Sequence, residues 1–464
     1  MSNERYAPPK VTDLLCKTVV NTKFEHLSDW NVKCFKDRLL DTTGCLFGGA
    51  IVKDNQVLTD LLYRWGGAGE APVFLHGFRT PLPNAVLLNC VTTRSNDYGS
   101  MAFKIFGEAL PSHVGETLIP LNLTLADAYG VSGADFIAHN VAAEDMTARL
   151  LYSLRRRWPY DMLLVSSAAA ALTSRYYGLD AAQTKAALSY AATNSTDPAN
   201  AYHDYSHEFK YHNGESARCG IMSCELAKGG WSGLSDPYFG HWGLAVRNDN
   251  DELSPNYEKC IEGLGTEYFT EGCFKRFPCG IPNTGACIAA MKVRRQFEGC
   301  YKLADISRVD VDRSGNIRYN YYAAPFSSPT QINALFCRQF NVCCVLYHGD
   351  IRIEYIQSEA LQSTPELLEL VQKSTSGVCP LPSGQTDPFF RVRVTMKDGA
   401  VFEDAEPAIF NTSYPTQEEI IGKFRKQVQA YGKLPKAAEE KIIDLALHIE
   451  TLSDMREYTS LLMG

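Results

Sequence analysis

Residues 166–192 read SSAAAALTSRYYGLDAAQTKAALSYAA, and this stretch decides the fold class. Ser166 to Tyr177 is alanine-rich and predicts a buried helix. Gly178 stops it, and Asp180 is placed to cap a second helix over Ala181 to Ala192. Alanine at helix contacts lets backbones approach closely, which suits a compact helical bundle. Working outward, Leu118 to Ala128 and Ala134 to Leu154 carry apolar residues at helical spacing. Leu39 to Ile51 reads as an apolar helix in which Gly44, Gly48 and Gly49 allow close packing. The chain is therefore expected to be helical from its start to about residue 265.

The pattern changes after residue 266. Ile306 to Asp312 alternates as ISRVDVD, and Phe389 to Phe402 reads FFRVRVTMKDGAVF, two strand-like runs around a Lys-Asp-Gly turn that predict a hairpin. Ile288 to Arg295 and Ser328 to Tyr347 look helical. Beyond residue 413, Ile442, Leu445, Ala446, Ile449 and Leu452 fall at helical spacing, so Lys436 to Leu462 is expected to form one long amphipathic helix. The expected fold is mainly α with an α+β insertion. A discontinuous all-helical domain (residues 1–265 and 413–464) would carry a smaller α+β lid domain (266–412).

Composition narrows the function. The 464 residues are 45% hydrophobic and 21% charged, which describes a globular chain of about two domains. A net charge of −8 argues against nucleic acid as a partner, because phosphate binding needs a concentrated basic face. The one basic run, Arg155-Arg156-Arg157, is short and reads as a solvated helix end or salt-bridged surface. No run of about eighteen apolar residues and no secretory leader is visible, so an intracellular, cytoplasmic protein without membrane contact is expected. The fifteen cysteines are scattered through apolar segments without a CxxC pair, which fits buried free thiols better than disulfides or structural zinc.

Chemistry is concentrated in FKYHNGESARCG, residues 209–220, read as the approach to a helix. Lys210 could hold a carboxylate or, partly desolvated, act as a base. His212 could move a proton near neutral pH. His113 precedes Gly115 and a helix start, where amides can bind an anion. Asp97 ends a helical run and could orient a histidine or cap the following turn. Arg94 could clamp a carboxylate or pair with a nearby acid. The run His203-Asp204-Tyr205-Ser206-His207-Glu208 matches no zinc motif and reads as a cleft edge, with His207 or Tyr205 near substrate. Cys219 and Cys279 flank glycines but lack an adjacent base.

Together these segments resemble the MmgE/PrpD family, which includes 2-methylcitrate dehydratase, cis-aconitate decarboxylase and iminodisuccinate epimerase. Asp41-Thr42-Thr43-Gly44-Cys45 is similar to its D-x-x-G-C helix. Asn89, Asp97 and Tyr98 fit N-G-x-x-x-H-x-x-D-[FY], and Ser112-His113 fits the histidine loop. Tyr177-Gly178-Leu179-Asp180 with Gln183-Thr184 fits L-G-L-D-x-x-Q-T. His212, Gly214, Ala217 and Gly220 fit K-x-[LM]-H-x-G-x-A-[AS]-x-x-G, with Ser216 for its first alanine and Lys210 one position closer to the histidine. Phe274 to Cys279 is similar to K-x-[FYW]-P-C. The resemblance implies a homodimer, no metal, no organic cofactor, and a cleft for small di- or tricarboxylates. Asp97, His113, Lys210 and His212 are expected to be catalytic, and Arg94, Tyr98, His207, Arg218, Lys275 and Thr284 to bind substrate.

Several positions depart from the family pattern. Trp158-Pro159 and Thr284 stand where histidines are usual, and Phe340 where a tyrosine is usual. Arg94 replaces a histidine, and Gly99-Ser100 replace an acidic pair. Three functions stay open on the sequence: a cofactor-independent lyase (dehydratase or decarboxylase), an isomerase or epimerase using the same proton abstraction, and a catalytically silent carboxylate-binding or scaffold relative.

Overall fold

The computed structural model describes residues 11–101, 103–154, 162–196, 200–240, 243–244, 257–315, 329–381, 388–408 and 414–464. The expectations for Arg155-Arg156-Arg157 and Trp158-Pro159 lie outside these residues. The fold is mainly helical with a small mixed sheet towards the C-terminus.

Among the described residues ten α-helices come first: Val11–Asn21 (α1), Asp29–Gly49 (α2), Gln56–Trp65 (α3), Leu82–Arg94 (α4), Gly115–Tyr129 (α5), Gly133–Leu154 (α6), Val165–Tyr176 (α7), Ala181–Thr193 (α8), Asn200–Asp204 (α9) and Glu208–Lys228 (α10). Two short hairpins lie among them, Ala71–Val73 with Phe78–Thr80 (β1, β2) and Phe103–Ile105 with Glu108–Leu110 (β3, β4). The alanine-rich pair behaves as its sequence dictates. Gly178 takes φ +63°, and the Asp180 carboxylate accepts from the Gln183 amide at 2.8 Å, satisfying one of the donors that a helix start leaves open. α10 packs across α4, α7 and α8. It approaches α4 so closely that a Cβ on Gly214 would lie 2.5 Å from the Leu87 carbonyl oxygen, which is why this position carries no side chain.

The later part centres on a four-stranded sheet of Ile306–Ser314 (β5), Ser374–Cys379 (β6), Phe389–Met396 (β7) and Val401–Pro407 (β8), in the order β6-β5-β7-β8. β7 and β8 form the expected antiparallel hairpin around Lys397-Asp398-Gly399. β6, which the sequence reading did not anticipate, pairs parallel with β5. The helix Thr284–Phe297 covers β7 and β8, and the buried residues of sheet and helices here make their own apolar cluster.

Three expected helices are redrawn. The helix foreseen from Leu39 begins ten residues earlier, where Ser28 accepts from the Asn31 amide. Ser328 to Tyr347 is not one helix, because Cys337 is extended (φ −75°, ψ 111°) and separates Gln331–Phe336 from Arg338–His348. Lys436 to Leu462 is also broken. An α-helix covers Lys436–Leu447, and shorter turns follow at Ile449–Thr451, Arg456–Thr459 and Ser460–Leu462. The Leu452 carbonyl accepts from the Gly133 amide, and the Met455 amide donates to Val131. The tail thus bonds to the start of α6 instead of continuing its own helical ladder. The helix Gln417–Tyr431 lies on α2.

All fifteen cysteines are free, and all but Cys300 are buried. No helix among the described residues is long and apolar enough to cross a membrane.

Candidate functional site

The first correction concerns residues 209–220, which lie within α10 and not ahead of it. Two residues along a helix turn through about 200°, so Lys210 and His212 face different surroundings.

α4 ends at Arg94, and the chain turns sharply through Asp97, whose φ of +46° is uncommon for a residue with a side chain. The turn brings the Asp97 carboxylate back against the Arg94 guanidinium. Lys275 arrives from far along the chain because Met101 and Cys273 form an antiparallel bridge, each amide donating to the other's carbonyl at 2.8 Å. Its ammonium lies 2.6 Å from the Asp97 carboxylate and also donates to the Asp97 carbonyl at 2.8 Å. His113 sits just ahead of α5, and Glu116 occupies that helix's first turn, where the dipole favours a carboxylate. One Glu116 oxygen is 2.9 Å from His113 Nδ1 and 3.3 Å from Arg94 Nε. All five side chains are buried.

The cluster is electrically closed: two carboxylates answer a guanidinium and an ammonium. Burial disfavours the Arg94 charge, but Asp97 and Glu116 outweigh this and hold its pKa above the ordinary value. Burial, followed by the Arg94 and Lys275 charges, pushes His113 well below 6.5 against the pull of Asp97. The ring is therefore neutral. With Nδ1–H directed at Glu116, the neutral tautomer carries its lone pair on Nε2, the geometry of an oriented base. The ligand atoms of Asp97, His113 and Glu116 lie within 4.8 Å of one another, a spacing that suits a cation. Arg94 and Lys275 already meet those carboxylates.

Four successive residues of the turn each have one backbone group held by a different buried or half-buried charge. Lys275 donates to the Asp97 carbonyl and Lys423 to the Tyr98 carbonyl, at 2.8 and 2.6 Å. The Gly99 amide donates to Glu116 at 2.9 Å and the Ser100 amide to Asp41 at 3.0 Å. Lys423 and Asp41 also pair with each other at 2.6 Å. Burial raises the Asp41 pKa, opposed by Lys423.

The remaining expected groups are distributed around this core. The Asn213 side-chain Nδ2 of α10 donates to the His113 carbonyl at 3.2 Å, fixing the histidine loop. Arg94 reaches the Tyr202 hydroxyl at 3.4 Å and lies 5.3 Å from the Phe209 ring centre. His212 is mostly buried, and neither ring nitrogen completes a hydrogen bond among the described residues. Burial and the Arg94 charge hold its pKa near 4, with the Thr196 backbone opposing. Lys210 does not contact Asp97; the lysine that meets this aspartate is Lys275. The Lys210 ammonium instead donates to Asn55 at 2.9 Å, and Asn55 in turn bonds Ser95 beside Arg94. Burial lowers the Lys210 pKa to about 8, opposed by Asp54.

Tyr98, Lys275 and Thr284 share the wall of a cavity of about 590 Å3 with Arg276 and Lys423. His207 is exposed and lies 3.3 Å from Asp54, and Arg218 pairs with Glu215 along α10. Neither touches the cluster. Phe340 packs in the apolar core of the sheet region. The sequence reading missed Glu116, Tyr202, Asn55 and Lys423. Glu116 was detectable as an acid three residues after a candidate histidine at a helix start, whereas the others carry no local signal.

The comparisons agree with this architecture. A family model for the MmgE/PrpD N-terminal domain matches residues 13–252, more than half of the chain. The cis-aconitate decarboxylase-like protein oryM of Aspergillus oryzae is 25% identical over 494 aligned positions, covering 98% of this chain and 97% of that protein. The chain belongs to the MmgE/PrpD family.

Proposed function

We propose that the protein is a cofactor-independent lyase acting on a small carboxylic acid, with His113 as the base and Glu116 as its orienting partner. The observation that carries this reading is the buried Glu116–His113 contact at 2.9 Å, which presents a neutral imidazole of defined tautomer. His113 Nε2 would take the proton next to a substrate carboxylate. The electron pair left behind would form a carbon–carbon double bond as a hydroxyl on the adjacent carbon departs as water. Arg94 and Lys210 would hold carboxylate charge, which is stabilisation where charge develops. The departing hydroxyl needs a proton to leave as water, and the neutral His212 would supply it from a ring N–H. The relative named as decarboxylase-like keeps loss of CO2 open on the same scaffold, with a di- or tricarboxylate as the expected substrate. The sheet region would act as a lid in a cytoplasmic homodimer.

A second reading, a silent carboxylate-binding relative, is favoured by one observation. The Arg94 and Lys275 charges are already met by Asp97 and Glu116. One experiment separates the readings: incubation with di- and tricarboxylates in D2O, followed by proton NMR. New product supports the lyase, and solvent exchange with inversion indicates an epimerase. If no acid in the panel exchanges or reacts, the lyase proposal fails. His113→Asn is expected to abolish any activity seen.

A further inference from the structure

We infer that the cavity beside Tyr98 is a second binding site, for a small organic dianion of dicarboxylate or phosphate-ester chemistry, and that its occupant acts on the Asp97 turn. Four cations line it (Lys275, Arg276, Lys423 and Lys426) against two carboxylates, Asp41 and Glu419. Both carboxylates are engaged. Asp41 pairs with Lys423, and Glu419 accepts from the Thr416 amide at 2.8 Å as part of a helix cap. Arg276 has no carboxylate partner among the described residues; its one polar contact is the Met291 sulfur at 3.8 Å. Lys426 has only the half-buried Asp350, at 3.6 Å. With Lys275 held by Asp97 and Lys423 by Asp41, the uncommitted positive charge beside the apolar walls of Phe274, Ile288 and Ile420 is that of Arg276 and, in part, Lys426. A concave site with apolar walls and a few convergent cations is what a small anion with a carbon body requires.

This site differs from the one proposed for catalysis. None of Arg94, Asp97, His113, Glu116, Lys210 or His212 lines the cavity. Lys275 belongs to both, while Tyr98 and Thr284, expected from the sequence to bind substrate, line this cavity and not the cluster. The coupling route is physical and short. Lys275 and Lys423 hold the Asp97 and Tyr98 carbonyls, and both lysines line the cavity. An anion in the cavity competes for those ammonium groups, so it alters how firmly the turn carrying Asp97 is held. Differential contact of this kind is what allosteric coupling needs.

The test uses the full chain and does not depend on turnover, so it stands apart from the lyase reading. Succinate, glycerol phosphate and inorganic phosphate are titrated by calorimetry, and amide hydrogen exchange at Gly99 and Ser100 is followed with and without each probe. Saturable binding of succinate or glycerol phosphate is expected, and the better of the two identifies the chemistry. Arg276→Gln/Lys426→Gln, both at exposed positions, is expected to weaken binding about tenfold or more, and Arg276→Gln alone gives the same direction. Exchange at Gly99 or Ser100 is expected to change on binding. Three results overturn the inference: no saturable binding of either organic probe, binding that survives the double substitution but is lost in His113→Asn, or binding that leaves both amides unchanged.

Discussion

Replacing Lys210 with methionine is expected to make the protein more stable while removing its activity. Lys210 is 3% exposed, and its ammonium donates to one neutral amide oxygen. Burial lowers its pKa from the ordinary 10.5 to about 8. At about 1.36 kcal/mol for each tenfold change in proton affinity, holding the charged form inside costs about 3 kcal/mol. Below pH 8 the group is protonated in both folded and unfolded chains, so the full cost is present. Between pH 8 and 10.5 the folded chain loses the proton first, the unfolded chain binds more protons, and stability rises with pH. By pH 9.5 the remaining cost is about 1.4 kcal/mol. The lost hydrogen bond to Asn55 offsets about 1 kcal/mol, and Asn55 keeps Ser95 as a partner at 3.2 Å. Lys210→Met should therefore be about 2 kcal/mol more stable at pH 7 and nearly equal to the parent at pH 9.5. Thermal unfolding of both proteins across this range reads the difference directly. A variant less stable at pH 7, or a gap that does not change with pH, would refute the reasoning.

Glu116→Gln keeps the shape of the cluster but leaves Arg94 with one carboxylate. A stability loss of roughly 3 kcal/mol, read by thermal unfolding, should accompany at least a hundredfold fall in deuterium exchange or turnover. Gly133→Ala would place a Cβ 1.6 Å from the Ile449 carbonyl oxygen. It should cost about 3 kcal/mol by separating the C-terminal segment from α6, measurable as a lower unfolding midpoint. For the pH profile, His212, with a pKa near 4, and His113, held well below 6.5, stay neutral across the working range. No ascending limb is expected between pH 5 and 7, and kcat/KM should fall above about pH 8 as Lys210 loses its charge.

The parts of the fold that were legible in the sequence are those specified locally. The Gly178 stop, the Asp180 cap and the Lys397-Asp398-Gly399 hairpin need only neighbouring residues, and each is where its chemistry puts it. β6 was hidden because STSGVC has no alternation, and its pairing to β5 is parallel, across about 65 residues. The C-terminal apolar spacing suggested one helix because 3-10 turns and extended residues bury apolar groups at similar intervals. At the site, no local feature distinguishes which lysine meets Asp97. Lys275 is 178 residues away, and only the Met101–Cys273 bridge delivers it. Glu116 reads in sequence as an ordinary acid complementing a helix dipole. Its contacts with His113 and Arg94 emerge only when α4 and α5 pack.

Two of the departures from the family pattern, Arg94 and Gly99, form one physical unit with Glu116. The resemblance leads one to expect acids immediately after Tyr98, but the chain has Gly99-Ser100. The Glu116 carboxylate occupies that room: a Cβ on Gly99 would lie 2.3 Å from the Glu116 Cγ and 2.7 Å from its carboxyl carbon. Glu116 bonds the Gly99 amide and also meets Arg94, the residue standing where a histidine is usual. Arginine, glycine and glutamate therefore depend on each other, since Arg94 at 0% exposure needs a second carboxylate, and that carboxylate needs position 99 empty. Gly99→Asp alone should be destabilising through overpacking, by about 1–3 kcal/mol. Glu116→Ala alone should be destabilising through an underpaired buried guanidinium, by roughly 3 kcal/mol. In the double variant the new aspartate fills the vacated space and answers Arg94, so the combined loss should fall short of the sum by at least about 1 kcal/mol. Gly99 is not among the glycines at positive φ, so its backbone accepts the side chain. Strictly additive losses in a thermal-unfolding cycle would show that the three positions are independent, and the account of a rebuilt, self-consistent site would fail with them.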